Sequence, residues 1–83
     1  MGKWRIEKKG QKYESHNYIG DVLRYSIHRH ISYAPGQLLL SCHDIFGSRY
    51  IKLESEDFED AKSESLTLIK IRLTAFLKDL PTS

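Results

Sequence analysis

Cysteine is almost absent: Cys42 stands alone among 83 residues, so no disulfide can close within the chain. The fold must therefore rest on packing and hydrogen bonds, and a lone thiol suits a reducing compartment, which makes a cytoplasmic location the expectation. Long apolar runs are missing as well, so neither a membrane span nor a secretory leader is expected. The chain opens Met-Gly, but Ile6 stands where the myristoylation pattern needs Ser or Thr. Glycine-rich phosphate loops, nucleophile elbows and spaced metal-ligand sets do not occur. With so little chain from which to build a closed pocket, no catalysis and no cofactor are expected.

What is present describes an ordinary globular protein: 40% of residues are hydrophobic and 29% charged. Residues 1–83 are read as one small domain, of a size that buries only ~60% of the surface its unfolded chain exposes. The net charge of +2 conceals an asymmetry. Residues 1–30 hold seven Lys and Arg against Glu7, Glu14 and Asp21, whereas residues 54–66 hold six acids against Lys62 alone. The acidic block coincides with the expected first turns of a helix, where the macrodipole favours negative charge.

From Leu23 to Tyr33 apolar and polar residues alternate, the period of a half-buried strand. Ala34-Pro35-Gly36-Gln37 reads as a tight turn, residues 37–46 as the return strand and Arg49–Leu53 as a third strand after Gly47-Ser48. Symmetric turns pair Ile31 with Leu40, Arg29 with Cys42 and His28 with His43, then Asp44 with Ile51 and Cys42 with Leu53. That register puts Leu23, Tyr25, Ile27, Ile31, Leu38, Leu40, Cys42, Phe46, Ile51 and Leu53 on one face. It also sets Arg29 and Asp44 near one another on the core side, where an ion pair would satisfy both.

A helix is expected within residues 54–80, with Ser55 as N-cap and Pro81 as stop. Phe58, Leu66, Ile69, Leu73, Phe76, Leu77 and Leu80 form a stripe to cover the sheet. Leu68, Ile71 and Ala75 lie to the side of it, a surplus apolar flank suited to a protein partner or a homodimer. In residues 1–20, Trp4 and Ile6 alternate with charges, a turn at Lys9-Gly10 would bring Ile6 to Tyr13, and Ser15 to Asp21 reads as a connection containing Tyr18 and Ile19. The fold class is α+β: an antiparallel sheet of three to five strands with one long C-terminal helix on one face.

Two sites follow from the strand pattern. His28 and His30 share a face, and His43 falls opposite His28, a spacing at which three imidazoles could meet one zinc ion. No carboxylate shares that face to orient them, so surface imidazoles are the main expectation and metal the minor one. The same face collects Arg24, Ser26, His28, His30, Ser32, Leu39, Ser41, His43, Ile45, Tyr50 and Lys52 without an acid, and Lys3, Arg5, Lys8, Lys9 and Lys12 would add a basic arm. Cations mixed with hydroxyl and aromatic groups suit a phosphate backbone. Three antiparallel strands followed by a helix resemble, in topology alone, the small DNA-binding modules of phage-integrase arms and plant AP2 domains. A double-stranded RNA-binding domain would need a basic start to its last helix, where this chain has acids. The expected function is a non-catalytic nucleic-acid-binding module; the alternative is a protein-binding regulator or inhibitor, dimeric through the helix. Cys42 and His43 fall on opposite sides of a strand, which excludes a thiol–imidazole nucleophile.

Overall fold

The computed structural model describes residues 2–30 and 36–82. Five strands form one antiparallel meander in chain order: β1 (Lys3–Glu7), β2 (Ser15–Ile19), β3 (Arg24–His28), β4 (Leu39–Ser41) and β5 (Tyr50–Lys52). A short helix, α1 (His43–Phe46), interrupts the β4–β5 connection, and α2 (Phe58–Asp79) lies across one face. The α+β arrangement is the expected one, but Ser15–Ile19 is a full strand and not a connection, because it pairs with β1 on one side and β3 on the other.

The core is a single cluster of Tyr25, Ile27, Leu38, Leu40, Cys42, Leu53, Ala61 and Ile69, with Trp4, Tyr18, Phe46, Ile51 and Phe58 packed around it. Trp4, Tyr18 and Tyr25 meet with centroids 5.2–5.6 Å apart, extending the apolar face to the β1 edge. The described residues that the alternation places inward all pack in or against this cluster, and Ile45, placed outward, joins them; Ile31 lies outside the described residues.

The register differs from the symmetric-turn expectation by four residues. Ile27 pairs with Leu40 and His28 with Leu39, and on the other side Leu40 pairs with Ile51 and Leu39 with Lys52. The pairing of Arg29 with Cys42 would have buried a guanidinium in the apolar layer, at a high cost. In the observed register Arg29 leaves the sheet, and its guanidinium lies 4.9 Å from the Phe58 ring centroid. Asp44 is exposed in the first turn of α1, so the expected Arg29–Asp44 pair gives way to this cation–π contact. Because the slip is even, every side chain within the strands keeps its face. The proposed tight turn at residues 34–37 falls largely outside the described residues; Gly36 has φ 81°. At the sheet's end, Gln37 donates its amide to the Leu38 and Leu53 carbonyls at 3.0 and 2.8 Å.

The expected strand through residues 42–46 is instead helical. Phe46 N–H donates to the Cys42 carbonyl at 2.8 Å, and Gly47 closes the turn at φ 69°. A strand would turn Ile45 to solvent, whereas the helical turn packs both Ile45 and Phe46 against the core. In the β1–β2 turn Ile6 meets His16 and not Tyr13, because the turn runs from Lys8 to Glu14 and is closed by Gly10 N–H donating to Glu14 Oε1 at 2.9 Å.

The long helix starts at Phe58, not within residues 54–57. Asp57 is its N-cap, accepting the Asp60 N–H at 2.9 Å. Ser55 instead donates its hydroxyl to Glu64 Oε1 at 2.7 Å. The buried positions are Ala61, Ser65 and Ile69, spaced by four. The expected stripe is thus only partly used: Phe58 and Ile69 pack inward, while Leu66, Leu73, Phe76, Leu77 and Leu80 are exposed. Small Ala61 and Ser65 let the helix sit close on the sheet, which rotates the larger residues away from it. Among the described residues no helix is long and apolar enough to cross a membrane.

Candidate nucleic-acid interface

The face of the sheet turned away from α2 is built from the odd residues of β1 and β2, the even ones of β3 and β5, and Leu39 and Ser41 of β4. The register lines them up in three rows: Glu7, Ser15, His28, Leu39, Lys52; then Arg5, Asn17, Ser26, Ser41, Tyr50; then Lys3, Ile19, Arg24. Four permanent cations stand at the ends of these rows, against Glu7 alone, which lies 3.4 Å from Arg5. The middle row is a chain of hydrogen-bonding side chains: Ser26 Oγ donates to Asn17 Oδ1 at 2.6 Å, and Asn17 Nδ2 donates to Ser15 Oγ at 3.2 Å.

The sequence-selected residues separate into two groups. Arg24 and His43 line one shallow concavity of about 270 Å³ with Asn17, Ser26 and Ser41, so His43 reaches the face from α1. His28, His30 and Tyr50 form a ring cluster, with Tyr50 5.1 Å from His28 and 5.5 Å from His30. Lys52 lies in the His28 row, beyond Leu39. Lys8 and Lys9 are exposed in the turn after β1, at the same end of the sheet as that row. Leu39, expected on the wet face, is fully buried (0%), and Ile45 packs against the core instead of lying exposed. Leu68 also packs against the core, so it is not part of a free flank. Ile71 and Ala75 are exposed, in a groove with Lys70, Thr74 and Lys78.

The zinc geometry does not form. His28 faces Leu39 across the ladder and His43 belongs to α1, and among the described residues no three His, Cys, Asp or Glu side chains converge on one point. Burial pushes the His28 pKa down and neighbouring His30 adds to this, while a hydrogen bond with the Arg29 carbonyl opposes it. At neutral pH His28 is therefore an uncharged aromatic ring. Cys42 is fully buried, its thiol donating to the Arg24 carbonyl at 3.6 Å; burial raises its pKa, away from a reactive thiolate.

Sequence reasoning puts Lys3 and Arg5 in a basic arm and not on the face itself, and it misses Ser15 and Asn17, although the alternation in Lys3–Glu7 and Ser15–Ile19 carries the signal. It also passed over His16, the fourth histidine, which lies on the inner face. Its ring stacks on Phe58 with centroids 3.9 Å apart, and Nε2 is 2.6 Å from Glu14 Oε2. Nε2–H donating to the carboxylate leaves Nδ1 as the unpartnered nitrogen. No protein-family model, curated protein or solved structure matches this chain.

Proposed function

We propose that this protein binds single-stranded nucleic acid on the outer face of its sheet, without catalysis. The observation that carries the reading is the coincidence, on one sheet face, of Lys3, Arg5, Arg24 and Lys52 with a part-exposed hydroxyl–amide strip and a three-ring cluster. The acids of residues 54–60 belong to the loop and first turns of α2, which packs on the opposite face. Cations can neutralise phosphates while His28, His30 and Tyr50 meet bases by stacking, a combination suited to an open strand.

Width favours a single strand over a duplex. Five strands at ~4.8 Å spacing span roughly 19 Å, wider than the ~12 Å major groove that admits a two-stranded ribbon. A duplex would touch the sheet only along its backbone, with the rings idle. The test is fluorescence anisotropy of a labelled mixed-sequence oligonucleotide, single-stranded and duplex, at two salt concentrations. Micromolar binding of the single strand that weakens with salt is expected, and Arg24→Glu with Lys52→Glu should abolish it in a protein that still melts cooperatively. Absence of single-strand binding at low salt, or binding indifferent to the double reversal, would overturn the reading.

A further inference from the structure

Ile69 is the last buried residue of α2, and from Lys70 to Thr82 every residue is exposed. The helix nevertheless continues to Asp79, projecting about 15 Å beyond its last buried turn. In that projection Lys70, Arg72, Leu73, Ala75, Leu77 and Lys78 are good helix formers and Ile71, Thr74 and Phe76 middling ones, so intrinsic preference helps to hold it. Its apolar residues are ordered. Leu73, Phe76, Leu77 and Leu80 follow the i, i+3, i+4, i+7 spacing of one helix face, with 40%, 40%, 68% and 60% of their surface exposed.

We propose that this face pairs with the same face of a second copy of the chain, the two helices running antiparallel about a two-fold axis. Charge selects both the partner and the direction. Arg72 and Asp79 lie seven residues apart on the same flank of the apolar seam, and the Arg72 guanidinium already leans along it, 5.2 Å from the Phe76 ring centroid. In an antiparallel pair like flanks meet, so Arg72 faces the partner's Asp79 while Asp79 faces the partner's Arg72. A parallel pair would bring Arg72 to a leucine and leave Asp79 unmatched. A self-complementary patch of this kind is what an isologous contact requires. The surface these four side chains can still bury is roughly 400 Å² per copy, below the ~800 Å² per partner of a stable standard interface. The dimer is accordingly a weak one, forming in the micromolar range. It rests on α2 alone and stands independently of the nucleic-acid reading.

Sedimentation velocity on the full chain between about 5 and 300 µM tests it, with circular dichroism to show that each variant is folded. A concentration-dependent dimer is expected, weakened at least tenfold by Leu77→Glu, which touches no core residue, and unaffected by Ile71→Glu on the opposite side of the helix. Arg72→Asp and Asp79→Arg should each weaken it, and the two together should restore it. A monomer throughout, a dimer indifferent to Leu77→Glu, or a charge swap that fails to restore association would overturn the proposal.

Discussion

Replacing Glu64 should cost this small domain a large part of its stability, and the cost should depend on pH. The Glu64 carboxylate accepts hydrogen bonds from Glu54 N–H at 2.9 Å, Ser55 N–H at 2.9 Å and Ser55 Oγ–H at 2.7 Å. Those bonds fasten the segment after β5 to the second turn of α2 and so fix where the helix lands on the sheet. Burial pushes the Glu64 pKa up, but the bonds from Glu54 and Ser55 outweigh it and hold the carboxyl below its ordinary value. A charge-assisted bond contributes ~1.5–3 kcal/mol when sheltered. Because water can replace the exposed Glu54 contact, Glu64→Ala should cost about 2 kcal/mol in all, most of it from Ser55. In a domain of this size that lowers Tm by about 10 °C. Glu64→Gln keeps one acceptor oxygen and should cost about half as much. The carboxyl pKa is depressed in the folded state, so its contribution is complete above the unfolded value near ~4.3 and fades as pH falls through the folded value. Melting curves of wild type and both variants at neutral and acid pH read this directly. Equal Tm differences at both pH values, or none at neutral pH, would refute the account.

Two further outcomes follow from the inner face. Hydrogen bonds from His16 and then from Gly10 N–H lower the Glu14 pKa, so Glu14→Gln should melt below wild type at neutral pH. That gap should close as the medium is acidified below the ordinary carboxylate range; a gap that persists in acid would show that the ionised carboxylate contributes nothing. Cys42, fully buried with a raised pKa, should react with a thiol reagent at least ~100-fold more slowly in native protein than in urea, since labelling must wait for local opening. Native labelling at the urea rate would show that the α1 end of the core is open.

The alternation in Arg24–His28 and Lys3–Glu7, together with the change of period after Leu53, determined those two strands, the long helix and the side of the sheet each of those strand residues occupies, but neither β2 nor α1. These are local properties: a period of two assigns faces whatever the partner strand. Register is different. A slip of four residues moves Leu40 from Ile31 to Ile27 without changing any face, so alternation cannot distinguish the pairings. Only the assembled core decided it, by excluding Arg29 and by packing Ile45 and Phe46 together through α1. The histidines show the consequence for function. His28 and His43 belong to one chemical pattern in sequence, yet tertiary structure gives the first to the Tyr50 ring cluster and the second to the Arg24 concavity. The helix was legible as a helix, though not its start at Phe58, and which of its apolar residues serve the core depended on small Ala61 and Ser65 meeting the sheet, a fit between surfaces that helical periodicity does not encode.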